Sequence, residues 1–133
     1  MPDTPSIFRV TLQVSDLQKA IAFYSKLLGT EGRRIHGARH YFECGSVILV
    51  ALDPTGGEGK AQPMPDHVYF SVKDLSAVHA RAKKLRCLSK EDVHGESGGD
   101  IAERPWGEKS FYAEDPYGNL LCFVQAGTEY TGK

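Results

Sequence analysis

Several kinds of work are closed to this sequence by what it lacks. Sixteen basic side chains against seventeen acidic ones leave a formal net charge of -1 over 133 residues. No basic field is available to hold a phosphate backbone, so nucleic acid is not expected as a partner. No apolar run approaches the roughly 20 residues that span a bilayer, and the opening stretch MPDTPSIFRV has neither the basic nor the apolar region of a signal peptide. No membrane partner is expected, and the expected location is cytoplasmic. Cysteine is scarce: Cys44, Cys87 and Cys122 are odd in number and widely spaced. That pattern fits neither a disulfide framework nor a paired-cysteine zinc site, so reduced thiols are the expectation.

What is present is an ordinary globular balance, 41% hydrophobic and 25% charged, in a length that suits one domain with a real core. The chain also repeats itself. Residues 8–27 laid on 66–85, an offset of 58, give seven identities in twenty positions: Val10/Val68, Val14/Val72, Asp16/Asp74, Leu17/Leu75, Ala22/Ala80, Lys26/Lys84 and Leu27/Leu85. That is several times the chance level, and the physical pattern agrees with it.

Each copy opens on alternation. Val10, Leu12 and Val14 alternate with Arg9, Thr11 and Gln13; Val68, Phe70 and Val72 alternate with His67, Tyr69 and Ser71. Period two of this quality predicts a strand with one face in a core and the other on a wetter surface. Each copy then turns helical. Ser15 or Asp16 caps a stripe of Leu17, Ala20, Ile21, Tyr24, Leu27 and Leu28, with Gly29 placed to end it; Asp74 caps a stripe of Leu75, Val78, Ala82 and Leu85. Shorter strands are expected at 41–43, 47–52, 110–113 and 120–125, with tight turns at 43–46 and 115–119. The long polar stretch 88–108, with Gly98-Gly99, reads as a functional or mobile loop.

Two phrases resemble a known family. Val10-Thr-Leu-Gln-Val-Ser-Asp-Leu, with Ala22-Phe-Tyr and Leu28-Gly29, is similar to the opening of the glyoxalase/bleomycin-resistance/extradiol-dioxygenase group, the vicinal oxygen chelate superfamily. Arg104-Pro-Trp-Gly-Glu-Lys-Ser-Phe-Tyr and Asp115-Pro-Tyr-Gly-Asn resemble its closing half, so the resemblance covers residues 6–126. It implies an α+β fold, two βαβββ modules forming a cup-shaped, eight-stranded mixed sheet with helices on the convex face and the active site in the concave cup. One domain over 1–133 is expected, with module one at about 6–53, a linker at 54–65 and module two at about 66–126. A homodimer is also implied.

Metal-dependent members of that family place ligands on the first and last strands of each module. The resemblance puts these positions at Arg9, Leu49, His67 and Cys122. His67 agrees with the family's histidine, but Arg9 stands where histidine or glutamine belongs, Cys122 where glutamate belongs, and Leu49 cannot ligate. A catalytic metal normally has three protein ligands, and a guanidinium offers only donors and repels a cation. No cofactor is expected; if a metal binds, His67 and Cys122 are its candidate ligands.

Parity places Arg9, Thr11, Gln13, His67, Tyr69 and Ser71 on the concave face, with Cys122 and Val124 near them. Such a set suits a small organic anion, Arg9 making the charge-assisted bond and Tyr69 or Trp106 supplying an apolar wall. Plainer readings stand beside this one: Arg9 paired with Glu43, His67 bonded to Tyr69, Cys122 a small buried hydrophobe, Trp106 a packing anchor. His36, His40, His79 and His94 show no ligand spacing and read as surface residues. Three functions remain open on the sequence alone. They are a metal-independent small-molecule binding protein, a metal-dependent lyase, isomerase or dioxygenase using His67, and a non-catalytic interaction module whose cup is filled by side chains.

Overall fold

The computed structural model describes residues 3–133. Two compact units divide the chain between Gln62 and Pro63, and both are βαβββ modules.

In module one, β1 (Arg9–Gln13) leads into α1 (Leu17–Leu28), followed by β2 (Arg33–Ile35), β3 (Arg39–Cys44) and β4 (Val47–Leu52). The sheet order is β1-β4-β3-β2, with β1 parallel to β4 and the other pairs antiparallel. Asp16, not Ser15, caps the helix by accepting from the Lys19 N–H at 3.0 Å. Gly29 ends it at φ 73°, its N–H bonded to the Ser25 carbonyl. Phe23 joins the buried stripe of Leu17, Ala20, Tyr24 and Leu27, while Ile21 and Leu28 are only half-buried. That stripe packs on the sheet face carrying Leu12, Phe42, Leu49 and Ala51, all nearly inaccessible. Full burial of each large apolar side chain contributes about 1.5–3 kcal/mol, so this face holds the module together.

Module two repeats the plan with β5 (Val68–Val72), α2 (Leu75–Lys84), β8 (Ala102–Glu103), β9 (Lys109–Glu114) and β10 (Leu120–Gln125) in the order β5-β10-β9-β8. Between α2 and β8 the chain forms a two-stranded hairpin, β6 (Asp92–Val93) with β7 (Glu96–Ser97). Asp74 caps α2 through the Ala77 N–H. Phe70, Phe123 and Phe111 stack along the helix side of this sheet, centroids 4.9 and 5.2 Å apart. The Gly98-Gly99 pair marks a close approach: a Cβ on Gly99 would lie 2.5 Å from the Ser89 carbonyl oxygen. The Gly98 carbonyl also accepts from the Tyr112 N–H at 2.7 Å. No helix among the described residues is long and apolar enough to cross a membrane.

The histidine expectation fails at two positions. His40 is buried, its Nε2 2.8 Å from the Glu31 carbonyl and its ring against Phe42. His79 sits 2.8 Å from the Gly99 carbonyl with its ring edge-on to Phe111. Both lie on the helix side of their sheets, where neighbouring strands and loops supply carbonyl partners that spacing along the chain does not reveal.

The turn before β10 is fixed by a buried carboxylate. Asp115 accepts from the Tyr117 and Asn119 backbone N–H groups and from Asn119 Nδ2, at 2.9, 2.8 and 2.8 Å. Asn119 Oδ1 in turn accepts from the Met64 N–H at 2.8 Å. Asp115→Ala strands these donors and should cost about 2–4 kcal/mol. Urea unfolding reads this directly; a loss under about 0.5 kcal/mol would place the turn's stability elsewhere.

Candidate functional site

The strand register decides what shares a face. In module one Thr11 pairs with Val50, Gln13 with Leu52, Tyr41 with Val50 and Arg39 with Leu52. In module two Tyr69 pairs with Cys122, Ser71 with Val124, Tyr112 with Cys122 and Ser110 with Val124. These residues lie opposite the helix in each module. Under the offset of 58, Thr11 corresponds to Tyr69, so the module-one partner of Cys122 is Val50. Leu49, the position expected to match Cys122, pairs with Val10 and Phe42 and faces the helix. The last-strand site of module one therefore carries a valine, which ligates no better.

Module one holds an open cavity of about 360 Å³. Arg9 and Arg39 supply its cationic character, His36 an imidazole, Thr11 and Tyr41 its hydroxyls, and Ile35, Val50 and Leu52 its apolar wall. Arg9 does not pair with Glu43. Its Nη1 donates to the Tyr41 hydroxyl at 3.2 Å and its guanidinium lies 4.9 Å from the Phe8 ring centroid. Glu43 is taken by Arg33 at 2.8 Å, on the neighbouring edge strand.

Module two holds an open cavity of about 420 Å³, lined by Tyr69, Phe70, Ser71, Trp106, Glu108, Val124, Glu129 and Tyr130. The Trp106 indole donates to Glu108 Oε1 at 2.8 Å, and the Tyr130 N–H donates to Glu108 Oε2 at 2.9 Å. Ser71 Oγ donates to Glu129 Oε2 at 2.6 Å and the Gly127 N–H to Oε1 at 2.7 Å. Hydrogen bonding from Ser71 holds the Glu129 pKa below the usual carboxylate value.

Of the eight candidate residues, the structure brings Tyr69, Ser71 and Trp106 to one cavity and Arg9 and Thr11 to another. Gln13 accepts from the Gln62 N–H at 2.9 Å and lines neither. His67 Nδ1 lies 3.2 Å from Asp66 Oδ1, not against the Tyr69 hydroxyl, and its ring is edge-on to Tyr112 with centroids 5.0 Å apart. Cys122 is 0% exposed, clustered with Tyr112 and Val124 under Val93 of the hairpin. Arg39, Glu108, Glu129 and Tyr130 escaped the sequence reading. Arg39 was recoverable from parity counted back from Tyr41; the other three lie on irregular chain that carries no period.

The sequence pattern of the Glyoxalase/Bleomycin resistance protein/Dioxygenase superfamily matches residues 6–123. The chain belongs to that superfamily. No curated protein matches. Among solved structures, it is similar to the oxidase ChaP-H2 at 22% identity and TM-score 0.75, covering 98% of this chain and 100% of that one. A lactoylglutathione lyase from Agrobacterium tumefaciens gives 22% identity and TM-score 0.65, with 94% and 96% covered. A glyoxalase/bleomycin resistance protein/dioxygenase from Nocardioides gives 18% and 0.68, with 100% and 91% covered. At these identities the likeness speaks for the superfamily fold alone.

The residues at the superfamily's metal positions do not fit a divalent ion. Only His67 brings an imidazole; Arg9 and Val50 offer no lone pair to a cation, and Cys122 is a buried thiol. Among the described residues no three His, Cys, Asp or Glu side chains converge as ligands would. Burial pushes the Cys122 pKa up to about 12, outweighing Ser110, Tyr112 and Arg104, which pull it down.

Iodoacetamide at pH 8 should therefore alkylate Cys44 first in the folded protein, sparing Cys87 and Cys122 until denaturant is added. Peptide mass spectrometry gives the order, and prompt labelling of native Cys122 would contradict its burial. Because the folded pKa lies above the ordinary value of 9.0, the neutral thiol supports stability fully below pH 9. That support is lost as pH rises toward 12, so the urea midpoint should fall across that window, and fall less in Cys122→Ala.

Proposed function

We propose that this protein is a metal-independent small-molecule binding member of its superfamily, taking a small organic anion on the open face of module one. The observation that carries the reading is that Arg9 and Arg39 line one cavity with no acidic side chain among its walls. A carboxylate or phosphate there accepts charge-assisted hydrogen bonds from the guanidinium groups, which present their donors in planar forks. The Tyr41 hydroxyl holds Arg9 in place and the Gly37 carbonyl holds Arg39, each engaging one donor nitrogen. Val50, Leu52 and Ile35 cover the apolar body of the ligand.

Metal independence is supported by the chemistry of the donor set. A cation placed beside Arg9 meets a fixed positive charge, and a thiol with a pKa of about 12 surrenders its proton to a metal only at high cost. Ligand binding without a metal leaves Arg9 to serve as the electrophilic anchor.

Titration with phenyl phosphate and with benzoate, followed by calorimetry, tests the anion site. Arg9→Leu should weaken binding at least about ten-fold, the loss of roughly 1.4 kcal/mol that one charge-assisted bond supplies. Affinity unchanged by that substitution removes Arg9 from the account. Elemental analysis of the purified protein should give well under one equivalent of Fe, Mn, Ni or Zn, and a stoichiometric metal that resists chelator overturns the metal-free reading.

A further inference from the structure

We propose that the open cavity of module two is a binding site for a small organic cation, a protonated or quaternary amine, separate from the anion site on module one. Its walls are aromatic. Tyr69 and Tyr130 are each 58% exposed, an unusual exposure for such large rings, and Trp106 stands with them. Aromatic faces carry negative quadrupole charge and attract ammonium groups, most strongly through indole.

The carboxylates add to this. Glu108 and Glu129 each receive two hydrogen bonds, all from neutral donors: an indole N–H, a serine hydroxyl and two backbone N–H groups. Those bonds fix both groups in place without cancelling either charge, and no basic residue lines the cavity. A carboxylate has acceptor capacity for about four hydrogen bonds, so two donors leave room for an ammonium N–H on each. An anion is repelled here, and a neutral ligand gains nothing from the charge. A bare Ca²⁺ or Mg²⁺ ion fares poorly as well, since it asks for about six or more oxygens and the walls are mostly rings. The volume of about 420 Å³ admits an amine with an alkyl or aryl body. This site rests on residues of module two alone and stands or falls apart from Arg9.

Trp106 is the sole tryptophan in the sequence, so its indole N–H resonance and its fluorescence report on the cavity without labels. Choline and its uncharged isostere 3,3-dimethylbutan-1-ol serve as probes on the full chain. Choline should shift the Trp106 signals and bind at least ten-fold tighter than the alcohol, more weakly as salt is raised. Glu129→Gln should reduce choline affinity about five-fold or more, with Glu108→Gln as the second variant if the first lowers the melting temperature. Arg9→Leu should leave choline binding unchanged, which separates this site from the anion site. Equal binding of the two isosteres, or choline affinity indifferent to both carboxamide variants, overturns the proposal. So does a Trp106 signal that responds only to protein concentration, which would assign the cavity to a second copy of the chain.

Discussion

The parallel pairing of each module's first and last strands governs the rest of the structure. Such a pair cannot be closed by a tight turn and needs a crossover, which α1 and α2 begin. Once β1 lies beside β4 with Thr11 on Val50, the pleat assigns every side chain of the module to a face. Slipping that register by one residue would turn Leu12 outward and bring Thr11 under the helix, exchanging the whole core for the whole site. The energy that forbids the slip is the burial of Leu12, Phe42 and Leu49 against Tyr24 and Leu27. The open face is thus positioned by the closed one.

Much of this was legible because period two and period 3.6 act over short distances. Alternation in residues 9–14 and 67–72 located both first strands and the wetter parity of Arg9, Thr11, Tyr69 and Ser71. Local caps behaved as their chemistry requires, with Asp16 and Asp74 each three residues before the N–H they accept from. The edge strand Arg33–Ile35 was invisible, since two arginines and one isoleucine carry no alternation and owe their conformation to pairing with β3. The same holds for Ala102–Glu103 and the hairpin around Val93. Glu108, Glu129 and Tyr130 reached the module-two cavity through irregular chain, where no periodicity exists to be read. Leu49 misses the counterpart of Cys122 by one residue, because the repeat that aligns first strands and helices does not carry to the last strands, where the intervening loops differ in length.

The shared plan of the two modules carries an echo at the positions where a metal would be held. Tyr41 and Tyr112 occupy equivalent places on the third strand of each sheet, opposite Val50 and Cys122. Each engages a residue at or just before the start of its module's first strand: Arg9 donates to the Tyr41 hydroxyl, and the His67 ring lies edge-on to Tyr112. The two modules then diverge in charge. One wall gathers Arg9 and Arg39, the other Glu108 and Glu129. A net charge of -1 averages these away, so bulk charge says little about either face.

The interior of module two shows why a cation is poorly served at Cys122. Arg104 is 3% exposed and has no carboxylate partner among the described residues. Its Nε and Nη2 are solvated instead by the carbonyls of Asp100 and Ser110 and the Ser110 hydroxyl, and the Tyr112 ring centroid lies 5.1 Å from Cζ, while Nη1 is buried with no hydrogen-bond partner among the described residues. A buried charge without a counterion is tolerable only when dipoles replace water in this way. The arrangement ties the loop carrying Trp106 to β9, and Val93 closes over Tyr112 and Cys122 from the hairpin side. A divalent ion at Cys122 would have to displace Val93 and deprotonate a thiol in an apolar cluster. The same packing that removes that position from solvent leaves the cavity beside it, between Tyr69 and Trp106, as the part of the face still open to a ligand.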